Sequence, residues 1–184
     1  MKLNFSKNSQ VGASLIEVLV AILILSFGML ALANMMSFGV QLPKLSGYRA
    51  TATTFGLAQI EQIRANPYGF SGNNYSSPLN YDGTFASIAA ADCAFPNCTI
   101  ASLAVMDIAT TQARVRQSLP AGGMIMKCDT PVCSWSSYGN LWIVWQEPST
   151  FAAILPTSSD NCPVEVTSVY TSPSPRCLYL RFKL

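Results

Sequence analysis

Residues 12–25 read Gly-Ala-Ser-Leu-Ile-Glu-Val-Leu-Val-Ala-Ile-Leu-Ile-Leu, an apolar run with one carboxylate, Glu17, near its start. The next charged residue is Lys44, so 26 uncharged positions follow Glu17, Val18–Pro43. About 20 apolar residues suffice for a transmembrane helix, so the run predicts one membrane span. A carboxylate at bilayer depth costs about 2.5–3.5 kcal/mol on insertion scales. A plain anchor has no reason to carry that cost, so Glu17 is a candidate functional residue.

The residues that precede the apolar run predict its orientation. Met1–Val11 contains Lys2 and Lys7 and no acidic residue. Because basic flanks stay on the cytoplasmic side, we predict a cytoplasmic N-terminus and an exported remainder. An ordinary secretory signal peptide is the alternative, with Ala31-Leu32-Ala33 as its small-residue cleavage site. That alternative leaves unexplained both Glu17 and the helical pattern that continues past residue 33.

Gly12–Ala21 resembles the type III signal of type IV pilins and pseudopilins. The resemblance implies that prepilin peptidase cuts after Gly12 on the cytoplasmic side. Ala13 is then the first mature residue, at a position that the family usually methylates and where it usually carries phenylalanine. Glu17 falls where the family has its glutamate, five residues into the mature chain.

The charges left by this cleavage suggest how Glu17 acts. Cutting after Gly12 creates an α-amino group at Ala13, which is positive below its reference pKa of about 7.7–8.0. In a growing filament, the amino group of a neighbouring subunit would neutralise Glu17. An unpaired charge in an apolar filament core is strongly penalised, so pairing would select the docked register. No catalysis is implied.

Composition limits the other classes of function. Removing Lys2 and Lys7 from the eleven basic residues leaves nine, equal to the nine acidic ones, so the mature chain is formally neutral. Without a basic cluster there is no electrostatic footprint for nucleic acid; Arg114 and Arg116 are too few. The chain has no histidine, which removes the commonest general base and metal ligand. We therefore predict no enzyme, no catalytic residue, no metal and no cofactor.

Six cysteines occur, all after residue 90. An even number confined to the exported part indicates an oxidising compartment such as the periplasm. Six thiols allow 15 pairings, among which we favour the local one. Zinc is disfavoured because the two C-x4-C pairs lack histidine partners. The candidate disulfides are Cys93–Cys98, Cys128–Cys133 and Cys162–Cys177.

The remaining pattern predicts an α+β fold: a long N-terminal helix packed against a small antiparallel sheet. The helix extends from about Ser14 to Ala65, with a kink or local break near Gly39–Pro43. We divide the chain into a leader (1–12), the helix (13–66, first half transmembrane, second half amphipathic) and a head (67–184). In the head we expect a connecting loop, a second helix and three or four strands. These lie at residues 67–98 (loop), 101–118 (helix), and 124–127, 140–146 and 177–184 (strands).

The amphipathic half of the helix is predicted from three-residue spacing. Leu57, Ile60 and Ile63 form the apolar face in this prediction, and Gln59 lies on another face. In the strand at 140–146, both Trp142 and Trp145 are expected in the core.

The head carries a narrower resemblance, to the PilV type of minor pilin. It rests on three motifs, Ile63–Pro67, Leu119–Gly123 and Trp142–Trp145. The resemblance implies a low-abundance subunit that helps initiate type IV pili, in a tip complex with other minor pilins and the major pilin. It would lie in the inner membrane, with its head in the periplasm, contacting membrane lipid and the assembly platform, and later in the extracellular pilus. Alternatives are a minor pseudopilin of a type II secretion system, a pilus-tip adhesin and, least favoured, a membrane-anchored enzyme.

Overall fold

The computed structural model describes residues 14–77, 81–94, 96–147, 160–170 and 174–184. Its architecture is α+β, which confirms the predicted class: a long N-terminal helix and a three-stranded antiparallel sheet. By its internal contacts the chain divides into two compact units, with the boundary between Lys44 and Leu45. In chain order the elements are α1 (Leu15–Ala65), α2 (Pro67–Ser71), α3 (Ile100–Ser118), β1 (Gly123–Cys128), β2 (Gly139–Trp145), α4 (Val164–Thr167) and β3 (Arg176–Phe182).

Helix α1 is 51 residues long and continues through Pro43, so a local break is wrong, whereas the other predicted outcome, a kink near Gly39–Pro43, stays a prediction. At 1.5 Å per residue its length is about 77 Å. A proline removes one intrahelical hydrogen bond, here the bond to the carbonyl of Gly39, while the flanking residues keep theirs. The last part of α1, from Leu45 onward, belongs to the same compact unit as the head.

The buried face of α1 in the head follows a 3.6-residue period. Ala52, Ile60 and Ile63 are buried in the main core, whereas Leu57 is 51% exposed. Gln59, predicted on another face, is buried. Strict three-residue spacing drifts around a helix with 3.6 residues per turn, so the assignment of Leu57 to the apolar face was wrong. Gly56 lies on the buried face, where an added Cβ would be 2.5 Å from Leu180 Cδ1.

The sheet has the order β1-β2-β3, and both pairings are antiparallel. Alternation along β2 sends Leu141, Ile143 and Trp145 into the core that contains α1. Trp142 lies on the opposite face, half-buried, where it stacks on Tyr179 with ring centroids 5.1 Å apart. The two tryptophans therefore occupy different faces, and only Trp145 is fully buried.

The connection from α1 to α3 contains more structure than the predicted loop. Helix α2 begins directly after Asn66, whose side-chain oxygen accepts from the backbone N–H of Gly69 and caps it. Ser77 then forms an isolated bridge with Met126 of β1. Helix α3 begins at a reciprocal cap between Thr99 and Ser102, close to its predicted start.

Candidate functional site

The first part of α1 is apolar on all sides and exposed in the single chain. Leu15–Ser37 is the one segment of the described residues that is long and apolar enough to cross a membrane. At 1.5 Å per residue its 23 residues extend about 34 Å, close to the 30 Å hydrocarbon core of a bilayer. None of the most apolar 18-residue window is buried within the chain. The described part of the chain therefore leaves this apolar segment uncovered.

Glu17 lies in the first turn of this helix and is exposed. Its backbone N–H donates to the carbonyl oxygen of Ser14 at 2.9 Å, so the helix begins just before the carboxylate. An acidic side chain in the first turn interacts favourably with the helix dipole. Within the part of the chain that the structure describes, no cation lies within ion-pair distance of Glu17.

The predicted processing site, Gly12 and Ala13, lies outside the described residues, so cleavage and methylation there remain predictions.

Within the apolar segment, the one hydroxyl between Glu17 and Gly28 is that of Ser26. Its Oγ donates to the carbonyl oxygen of Ile22 at 2.7 Å, which satisfies this polar group without an external partner.

The six cysteines form three disulfides in the structure, with the pairing favoured from sequence. Their Cα–Cα distances are 5.2 Å for Cys93–Cys98, 5.4 Å for Cys128–Cys133 and 5.2 Å for Cys162–Cys177. The first precedes α3, the second closes the start of the β1–β2 connection, and the third joins the residue before Pro163 to β3. They brace the parts of the head that have the least regular structure.

A buried arginine organises the junction between α3 and β1. Arg116 donates from Nε to the carbonyl oxygen of Gly122 at 2.6 Å and from Nη1 to Asp82 Oδ1 at 2.8 Å. Nη1 also donates to the carbonyl oxygen of Thr84. Burial by itself would raise the pKa of Asp82, but hydrogen bonds from Thr84 and Arg116 outweigh it and hold this pKa below its usual value. Arg116 thus serves the fold and offers no cationic surface.

The Leu119–Gly123 motif has a steric explanation at this junction. An added Cβ on Gly122 would lie 2.4 Å from the backbone oxygen of Val115, and one on Gly123 would lie 2.8 Å from the Cα of Tyr81. Because both neighbours are backbone atoms, neither can move aside cheaply. The motif is therefore required for the close approach of the turn to α3 and to Tyr81.

Two acidic side chains, which the sequence predicts only as a polar helix residue and a strand-end residue, are buried: Asp107 and Glu147. Asp107 on α3 accepts a hydrogen bond from the hydroxyl of Tyr75 at 2.5 Å. Burial, and next the hydrogen bond to Asp107, raise the pKa of Tyr75 well above its ordinary value. Glu147 accepts from Arg176 Nε at 3.0 Å just after β2. Both acids have structural partners and do not form a catalytic pair.

Arg176 extends this second contact into a chain of charges. Its Nη1 lies 3.4 Å from Asp160 Oδ2, and Asp160 Oδ1 in turn lies 3.1 Å from Nη2 of Arg49 on α1. The chain links the ends of β2 and β3 to the head-associated part of the long helix. Sequence reasoning missed this chain of charges because its members are widely separated in the sequence and form no local pattern. They are Arg49, Glu147, Asp160 and Arg176.

Comparison with known proteins identifies one segment. Residues 7–33 match the family model described as the prokaryotic N-terminal methylation motif. This segment contains Gly12, Ala13, Glu17 and most of the apolar part of α1. No curated protein and no solved structure matches the chain. The motif and the α+β fold support a pilin-like or pseudopilin protein that is anchored by its N-terminal helix, and they indicate a structural protein.

Proposed function

We propose that this pilin-like protein is a minor pilin, processed by prepilin peptidase after Gly12 and assembled into type IV pili. We further propose the PilV subtype, acting in a tip or initiation complex with other minor pilins. The observation that carries the proposal is Glu17, a carboxylate within the methylation motif and in the first turn of α1, where the exposed apolar segment begins, with no ion-pair partner among the described residues.

The chemistry of assembly follows from this position. A filament would bury the apolar segment of each subunit against its neighbours, and would remove Glu17 from water as it does so. The newly cut α-amino group of an adjacent subunit, carried by Ala13, offers the compensating positive charge. A misregistered subunit would leave a carboxylate and an ammonium group unpaired in an apolar core, which is strongly unfavourable. Glu17 would thus set the register of docking.

The processing step is tested by intact mass and N-terminal sequencing of the chain from sheared surface filaments. A chain that begins at Ala13, with or without one added methyl group, supports the proposal. A chain that begins near Asn34 would identify an ordinary signal peptide, and one that begins at Met1 would identify a plain anchor.

The assembly step is tested with Glu17→Ala in cells that lack the native gene. The variant should be cleaved and inserted as the unmodified chain is, and pilus number should fall to the level of the deletion strain. Glu61→Ala is the matched control, since Glu61 is an exposed acid on the same helix and pairs with Arg64, three residues on. Normal pilus numbers with Glu17→Ala would refute the role of this carboxylate.

A minor pseudopilin of a type II secretion system is the alternative that shares the same observations. Deletion would then abolish secretion of exoproteins and leave surface pili intact, which is the reverse of the expected result.

A pilus-tip adhesin is favoured by one separate feature of the head. Tyr68 and Trp135 are 67% and 54% exposed, and their rings meet edge to face with centroids 5.3 Å apart. Loss of adhesion with Trp135→Ala, at normal pilus number, would favour that function.

A further inference from the structure

The outer edge of β3 presents backbone groups with no strand beside them in the described residues. The direction in which the backbone groups of β3 point follows from the hydrogen bonds of β1, at the opposite edge of the sheet. Met126 of β1 exchanges both backbone hydrogen bonds with Ser77, so the N–H and C=O of Met126 point away from β2. In an antiparallel ladder the bonding direction alternates along each strand. Ile125 and Lys127 therefore bond to their β2 partners, Trp142 and Asn140.

The same alternation carries across β2. Since Trp142 and Asn140 bond toward β1, Leu141 and Ile143 bond toward β3, to Leu180 and Leu178. In β3, Tyr179 lies between Leu178 and Leu180, and Arg181 follows Leu180. Their N–H and C=O groups consequently point away from β2, along the outer edge of the sheet.

The two edges of the sheet are not equivalent. The outer edge of β1 is bridged by Ser77, whereas no backbone hydrogen bond of the described residues reaches Tyr179 or Arg181 from outside the sheet. An open edge of this kind is a template for an additional strand.

The side chains of β3 define what would fit there. Leu178 and Leu180, on the helix-facing side, pack against the core but are only partly buried. On the outer side Arg181 and Lys183 are exposed, with the Arg181 guanidinium 4.2 Å and the Lys183 ammonium 5.2 Å from the centre of the Tyr138 ring. The nearest acid is Asp129, 3.9 Å from Arg181. The outer side of this edge is therefore basic.

We propose that β3 accepts an added strand from another protein, an extended segment in which apolar and acidic side chains alternate. Its apolar side chains would cover Leu178 and Leu180, and its acidic ones would lie beside Arg181 and Lys183. The proposal holds whether or not the chain assembles into a pilus, because it rests on the head alone.

Charge argues against a second copy of this chain as the occupant. Pairing β3 with another β3 would bring two further basic side chains onto the same outer face, with one Asp129 per chain to offset them. Like charges on adjacent strands are destabilising, and basic residues on an edge discourage self-pairing. A segment with acidic side chains reverses the sign of this interaction.

The first experiment measures amide hydrogen exchange by NMR on the full chain in detergent micelles. The amides of Tyr179 and Arg181 should exchange at least about a hundredfold faster than those of Leu178 and Leu180, which are bonded within the sheet. Equal protection of all four amides would show that the edge is already covered by the chain itself, and would overturn the proposal.

The second experiment adds a blocked seven-residue peptide in which valine and glutamate alternate, and compares it with the same peptide carrying lysine in place of glutamate. The glutamate peptide should bind and protect the amides of Tyr179 and Arg181, and its affinity should weaken as salt is raised. Equal binding of the lysine peptide, or binding that leaves both amides exchanging, would overturn the proposal.

Two variants at Arg181 separate what its backbone N–H contributes to peptide binding from what its side chain contributes. Arg181→Pro removes one outward N–H and leaves the bonds to β2 in place, as proline on an edge strand can. Arg181→Ala keeps the N–H and, like the proline variant, removes the charged side chain with its contact to the Tyr138 ring. Peptide affinity should fall by about tenfold more for Arg181→Pro than for Arg181→Ala, a difference equal to one lost backbone hydrogen bond. Unchanged affinity in both, with native near-UV circular dichroism, would refute edge pairing. A dimer in sedimentation that Arg181→Pro abolishes would refute the acidic partner and identify a second copy as the occupant.

Discussion

Replacing Gly122, which is buried, by alanine should destabilise the head. The new Cβ would lie 2.4 Å from the backbone oxygen of Val115 and 2.8 Å from its carbonyl carbon, which are fixed by α3. Relief requires the turn to move, which also lengthens the 2.6 Å hydrogen bond from Arg116 to Gly122. Overpacking of this kind costs about 1–3 kcal/mol.

The expected shift in melting temperature follows from the size of the head. The compact unit Leu45–Leu184 contains 140 residues. At about 2.1 cal/mol/K per residue, its unfolding entropy is about 0.3 kcal/mol/K, so a loss of 1–3 kcal/mol lowers Tm by about 3–10 °C. The assay is thermal unfolding of the full chain in detergent micelles, followed by tryptophan fluorescence, to which the buried Trp145 contributes.

Gly47→Ala is the matched control because it should act in the opposite direction. Gly47 lies within α1, and an added Cβ there meets no atom within 4 Å. Alanine is favoured over glycine in a helix interior by about 0.8–1.0 kcal/mol, which corresponds to a rise in Tm of about 3 °C. If both variants changed Tm in the same direction, or if Gly122→Ala left it unchanged, the steric argument for the turn would be refuted.

Two further changes test the interior of the head. Tyr75→Phe leaves the buried carboxylate of Asp107 without its hydroxyl donor, and should lower the free energy of unfolding by about 1–3 kcal/mol in urea titrations. Because burial raises the pKa of Tyr75 above its ordinary value of about 10, its contribution is complete below pH 10 and is lost as pH rises beyond that value; the phenylalanine variant should lack this alkaline loss. Replacing Cys162 and Cys177 together by serine opens a loop with a sequence separation of 15 and should reduce stability by about 3 kcal/mol. Free thiols in the exported protein, found by peptide mapping without reduction, would contradict that pairing.

Local pattern predicted the elements well where one periodicity dominates. Helix α3 and the three strands lie within one or two residues of their predicted bounds, because each is a short apolar run bounded by turn residues. The same reasoning failed at Leu57 and Gln59. Their burial depends on which side of α1 meets the sheet, and Gly56 decides this by admitting Leu180 at close range.

The predicted break at Pro43 failed for a different reason. A helix interior loses one hydrogen bond at a proline, and the residues on both sides of Pro43 retain the bonds that hold the helix together. Propensity at a single position therefore does not decide the course of a helix of 51 residues.

The sequence by itself determined the apolar segment, the position of Glu17 and the methylation motif, because these depend on residues adjacent in the chain and on the cost of charge in an apolar medium. Tertiary structure alone decided the roles of Arg116, Asp107 and Arg176. Arg116 pairs with Asp82, Asp107 with Tyr75, and Arg176 with Glu147, and in each pair the two residues are about 30 positions apart in the sequence. Only the folded chain brings each donor and its acceptor together. It also decided which strand edge has no neighbour among the described residues, since an edge depends on how the strands are arranged in the sheet.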